Sequence, residues 1–245
     1  MLKSEASMSL PLRLALVACI LAAASPLEAQ SPPARGGTLV VAIVADPGHL
    51  NPAITTNGAT HAAAELLYNG LLARNERGEP VPELAESWQV EQGGAVYRFR
   101  LREGVRWHDG APFTAADVKF TFEEVLLKLH ARTRASMGAV LAGIDAPDDR
   151  TVVFRFKLPY APLLAQLDAT EAPILARHVY QGGDPQTNPA NVNPIGTGPF
   201  RFVSYARGTG VPPSAVKAGV CRSRKAPSGA RTMKCAAMFR AAASA

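Results

Sequence analysis

Cysteine is nearly absent from this chain. Three occur in 245 residues, Cys19, Cys221 and Cys235, and none lies between residues 20 and 220. That interval can hold neither a disulfide framework nor a cysteine-based zinc site. A cysteine-free body is compatible with an oxidising compartment. Metal-ligand spacing is missing as well. His49, His61, His130 and His178 show no His-x-x-x-His or His-Glu-x-x-His pattern, so no metal site and no cofactor are expected. There is no Gly-x-Ser-x-Gly elbow and no evident nucleophile–base pair, which leaves a secreted hydrolase as a distant alternative and predicts no enzyme.

Acid is missing from one region alone. Residues 209–245 hold seven basic residues (Lys217, Arg222, Arg224, Lys225, Arg231, Lys234, Arg240) and no Asp or Glu. Removing them from the formal charge of +6 leaves −1 for residues 1–208. The basicity therefore says nothing about what the body binds, and no nucleic-acid partner is expected: Arg222–Lys225 has no aromatic interleaved with it. The same region lacks Leu, Ile, Trp and Tyr, and no helical or strand period is sustained. It is expected to be a disordered basic tail, because it has too little apolar surface to offset its ordering entropy.

At the other end, residues 1–29 read as a signal peptide. Lys3 and Arg13 give a basic start, Leu14–Ala24 an apolar core and Leu27–Gln30 a cleavage site after Ala29. The run is short for a bilayer span. Leu16–Cys19 (LVAC) also fits a lipoprotein box, so lipid anchoring through Cys19 is the alternative to plain cleavage.

The stretch Pro82–Val125 organises the rest. Tyr97, Phe99 and Leu101 alternate with Arg98 and Arg100, which predicts a strand with one buried and one wet face. Gly93-Gly94 and Glu103-Gly104 are turn signals on either side. After Trp107, Asp109-Gly110 and Pro112 the period changes. Thr114 and Asp117 form a capping-box pattern, and Val118, Phe122, Val125 and Leu129 recur at helical spacing. A small sheet thus hands over to an amphipathic helix.

This stretch, standing as LREGVRWHDGAPFTAADVKFTFEEV after ELAESW, resembles solute-binding protein family 5, the extracytoplasmic peptide-type receptors of ABC importers. A second signature occurs at Asn193–Tyr205 (NPIGTGPFRFVSY), where the family's chain crosses back from a small domain to its first lobe. The segment Ala172–Tyr180 resembles the family's ILP-x-H-V element, with Ala176 in place of the usual proline. The resemblance runs from Gly36 to Gly208 and stops in mid-motif, which suggests translation in a shifted frame beyond Gly208. Sequencing the coding DNA would test that.

The resemblance implies an α/β (α+β) fold with mixed sheets, the N-terminal part of a bilobal, three-domain periplasmic binding protein with the second lobe missing. Residues 30–58 would begin lobe I, 59–189 would be the small extra domain, and 190–208 the crossover back to lobe I. It implies a periplasmic, monomeric component that takes di- and oligopeptides or another small solute and delivers it to ABC permease subunits. The alternative is a truncated, non-binding remnant. The cleft-facing candidates it supplies are His49, Asn51, Asn57, Gly196, Thr197 and Gly198.

Local readings fill in the remainder. Thr38–Val44 is an apolar run of strand length, residues 60–72 read as a helix, and Leu71–Arg74 as a short strand. Thr151–Phe156 alternates again. Arg132–Gly138 is polar and loop-like, and Phe200–Tyr205 is expected to be a strand. His108-Asp109 is read as structural, because neighbours on an extended segment point apart. Gly196-Thr197-Gly198 is read as a crossover needing small residues and unusual dihedrals; Pro199 argues against a phosphate cradle.

Overall fold

The computed structural model describes residues 45–202, 204 and 205, with the backbone alone of three flanking strands, all within one unit, Gly36–Ala245. The signal segment and Cys19 lie outside the described residues. In chain order the elements are β1 (Thr38–Ile43), α1 (Gly58–Ala64), β2 (Leu72–Arg74), β3 (Pro80–Pro82), β4 (Ala85–Glu91), β5 (Val96–Leu101), α2 (Ala115–Phe120), a π-helical segment (Thr121–Leu126), α3 (Leu127–Leu129), α4 (Ala131–Met137), β6 (Leu141–Asp148), β7 (Thr151–Phe156), α5 (Arg177–Tyr180), β8 (Val216–Ala218) and β9 (Ala236–Ala241). The class is mixed α/β, as expected.

β4, β5, β7 and β6 form an antiparallel sheet in that spatial order. In β5 the alternation holds: Tyr97, Phe99 and Leu101 are buried, Arg98 is half-buried and Arg100 exposed. β7 differs, since Val153 is buried together with Val152 and Phe154. Val153 lies opposite Arg98 in the register, and the stems of long flanking side chains can cover such a position. One face of the sheet carries the aromatic core. Phe99 meets Phe154 edge-on at 5.7 Å, and Phe122 from the π-helical segment meets Phe154 edge-on at 4.9 Å. Burying each such ring stabilises the fold by about 1.5–3 kcal/mol.

Arg150 ties the sheet's end together. Its guanidinium donates to the Leu101 carbonyl and pairs with Glu86 at 3.1 Å and Glu103 at 2.9 Å. Asp117, only 5% exposed, serves two helix starts. Its Oδ2 accepts from Thr114 N at 2.8 Å, closing the predicted box, and its Oδ1 accepts from Arg177 N at the start of α5 at 2.9 Å.

The helical stripe is correct for Val118, Phe122 and Val125, which are fully buried. Leu129 is only half-buried and Leu126 is buried in its place. The reason is the π-helical segment, in which the Leu127 amide reaches back to the Phe122 carbonyl. Its wider turn re-phases the residues C-terminal to it.

Three local expectations are corrected. Arg132–Gly138 is not loop: α4 starts at a cap where His130 Nδ1 accepts from Thr133 N. The helix over 60–72 is shorter, α1 ending at Ala64. Phe200–Tyr205 forms no named strand among the described residues, because nothing described pairs along it. In the segment 209–245, expected to be a disordered tail, β9 runs parallel to β1 and antiparallel to β8. Pairing through the backbone needs no side-chain period.

Candidate functional site

The crossover is built by close backbone approach. Gly198 N donates to the Leu67 carbonyl at 2.9 Å, and Phe200 N to the Leu66 carbonyl at 3.0 Å. A Cβ at Gly198 would sit 2.6 Å from the Leu66 oxygen, and one at Gly196 would fall well inside contact distance of the Leu67 oxygen. Neither glycine has a positive φ. Small residues are required here, as the sequence implied, but for proximity and not for unusual dihedrals.

His108 holds the other side. Its amide donates to the Gly196 carbonyl at 2.9 Å, and its ring Nδ1 accepts from Gly196 N at 3.2 Å. Its Nε2 lies 2.9 Å from the Gly198 carbonyl. A carbonyl can only accept, so Nε2 carries the proton and Nδ1 does not. Burial pushes the His108 pKa down; the Gly198 carbonyl acts the other way, Arg201 reinforces the fall, and the net shift is downward. Asp109 faces elsewhere, accepting from His178 Nε2 at 2.6 Å. Burial raises the Asp109 carboxyl, but the bonds from His178 and Ala111 N outweigh it and lower the net pKa. The two neighbours do point apart.

Thr197 joins a second chain of contacts. Its hydroxyl donates to Asn69 Oδ1 at 3.0 Å, Asn69 Nδ2 donates to Glu83 Oε1 at 2.6 Å, and Glu83 Oε2 accepts from Gly70 N at 2.9 Å. Burial raises the Glu83 pKa, against these two hydrogen bonds and with a further push from Asp168. Glu83 thereby fixes the turn on which the crossover rests.

The remaining candidates occupy separate places. Asn51 is fully buried; its Nδ2 donates to Asn191 Oδ1 at 2.8 Å, and its Oδ1 caps the short helical turn Pro52–Ile54 by accepting from Ala53 N. Tyr180 reaches the same Asn191 oxygen at 3.3 Å, with burial pushing its hydroxyl pKa up. His49 Nδ1 accepts from Asn51 N at 3.2 Å. Asn57 is exposed and caps α1, accepting from Ala59 N and Thr60 N. The structure therefore joins Gly196, Thr197 and Gly198 in one cluster, and His49 with Asn51 in another. Sequence reasoning missed Asn69, Glu83, Tyr180 and Asn191, whose partners lie far along the chain. Among the described residues no group of three or more metal-ligating side chains gathers, and no helix is long and apolar enough to cross a membrane.

Residues 79–212 match the family described as bacterial extracellular solute-binding proteins, family 5, middle portion. The chain belongs to this family. Protein XP55 of Streptomyces lividans is 36% identical over 211 residues, covering 82% of this chain and 37% of that protein. The dipeptide-binding protein of Escherichia coli K12 is 33% identical over 193 residues, covering 69% of this chain and 36% of that protein. Among solved structures, the ABC transporter-associated periplasmic binding protein DppA of Helicobacter pylori, in complex with peptide STSA, superposes with a TM-score of 0.67 at 27% identity; 85% of this chain and 43% of that chain are covered. The chain thus spans well under half the length of these relatives.

Family 5 proteins are extracytoplasmic binding components of ABC transporters and not enzymes. That agrees with the placing of His108 and Asp109, whose side chains are engaged with the crossover and with His178, without a nucleophile between them.

Proposed function

We propose that this family 5 chain serves as the cleft-bordering portion of an extracytoplasmic solute-binding component of an ABC importer, taking di- or oligopeptides. The observation that carries the reading is its 33% identity with a dipeptide-binding protein over 69% of this chain. In this reading residues 1–29 direct export, hinge closure of the whole protein traps the solute, and a permease in the membrane receives it. Extended peptides are held in such sites through their main chain. The crossover Gly196–Gly198 and the loop with His49, Asn51 and Asn57 border the cleft.

A second reading, that the 245-residue chain alone does not bind, draws on a specific observation. Concavities of about 290 Å³ (Phe120, Glu124, Tyr180, Gln181) and about 580 Å³ (Glu123, Leu127, Leu141, Gly143) include none of the six candidates. A deep, mostly enclosed pocket is what small-solute affinity requires. Titration calorimetry of the chain against a mixed di- and oligopeptide library tests this. No measurable heat is expected; micromolar binding would show that these residues suffice for capture and sink the second reading.

A further inference from the structure

Three hydrogen bonds join His108 to the crossover, and the ring can complete them in one protonation state only. Nδ1 must be bare to accept from Gly196 N, and Nε2 must carry a proton to reach the Gly198 carbonyl. A protonated ring would set an N–H against the N–H of Gly196, which is buried away from solvent. The opposite neutral tautomer would fail at both contacts.

We infer that His108 is a positioning residue, holding Gly196–Gly198 in place as the neutral Nε2–H tautomer and letting go of Gly196 when the ring is protonated. The groups facing it are Arg201 on the crossover, Asp109 on its own segment, His178 of α5 acting through Asp109, and Tyr68 on the 66–70 turn, with Glu83 behind Asn69. Arg201 opposes a second positive charge nearby, and burial does the same. The latch therefore stays closed at neutral pH and opens on the acid side of an ordinary histidine. The consequence for solute capture rests on the proposed role of the crossover; the hydrogen-bond ring does not.

The test uses the full chain labelled with 15N at histidine, glycine and phenylalanine. Ring-nitrogen shifts at neutral pH should show the Nε2–H tautomer for His108. As the ring titrates, the Gly196 amide should lose about tenfold in exchange protection, the equivalent of one net hydrogen bond, while the Phe200 amide, bonded to Leu66, keeps its own. His108→Asn retains an acceptor near the Nδ1 position and should keep Gly196 protection while abolishing its pH dependence. An Nδ1–H tautomer, Gly196 protection unmoved through the titration, or unaltered pH dependence in His108→Asn would each overturn the inference. These readings are independent of peptide binding, so failure of the latch and failure of the proposed function are told apart.

Discussion

Asn51 and Asn191 are 140 residues apart in sequence and meet side chain to side chain at 2.8 Å in a fully dry position. Beside them the Leu50 amide donates to the Asn191 carbonyl at 2.6 Å. A residue before the sheet and a residue after it are thereby stitched together, and the stitch carries a cap as well.

Asn51→Ala removes both the bond to Asn191 and the cap on Pro52–Ile54, leaving a buried amide without its partner. The expected loss is about 2 kcal/mol. Urea denaturation checks it: the midpoint should fall with an unchanged slope. A shift under about 0.5 kcal/mol would mean that Asn191 is satisfied by other means.

Gly198→Ala should cost at least about 2 kcal/mol, because the new methyl group meets the backbone of Leu66 and Leu67. Gly183→Ala is the control. Nothing lies within 4 Å of a Cβ there, and the change should stay within about 0.5 kcal/mol. Thermal unfolding of both variants distinguishes proximity from mere glycine composition.

His130 predicts an acid sensitivity. Burial, followed by the charges of Arg132 and His61, lowers its pKa to about 4. The folded state therefore binds fewer protons than the unfolded state between that value and the ordinary histidine range. Stability is full above about pH 6.5 and falls as pH drops through about 4, by on the order of 3 kcal/mol in total. His130→Asn keeps an N-cap for α4 without a titrating ring. Denaturation midpoints across pH 4–7 should lose this part of their slope in that variant.

Phe122→Ala opens a cavity against Phe154 and should cost about 3–5 kcal/mol. Val90→Ala, at a side chain 52% exposed on β4, should cost under about 0.5 kcal/mol. Equal effects would mean that the sheet's other face carries the core.

What could be read from the residues alone was local. The alternation of Tyr97, Phe99 and Leu101 states which face is inside, and Thr114 with Asp117 states where a helix begins. Polar α4 escaped notice because Ala131–Met137 has few apolar residues to set a period, and its cap is a histidine, outside the usual set. For the site, small residues at Gly196 and Gly198 were legible as a demand for space. The cause of that demand, the Leu66–Leu67 backbone, was not, since it is contributed from about 130 residues away. Asn51 and Asn57 both precede short helical turns, so a capping role was open to inspection. Only the tertiary contact to Asn191 raises Asn51 beyond it.

The π-helical segment Thr121–Leu126 accommodates one residue more than an α-helical path would need. Excising a single position there would restore plain winding, and everything downstream would swing by about 100° around the helix axis. Leu126 would turn toward solvent, and His130 would move away from His61, whose ring centre lies 6.1 Å from its own. A one-codon deletion at this point is therefore a rotation of α3 and α4, more disruptive than any conservative exchange of the same side chains.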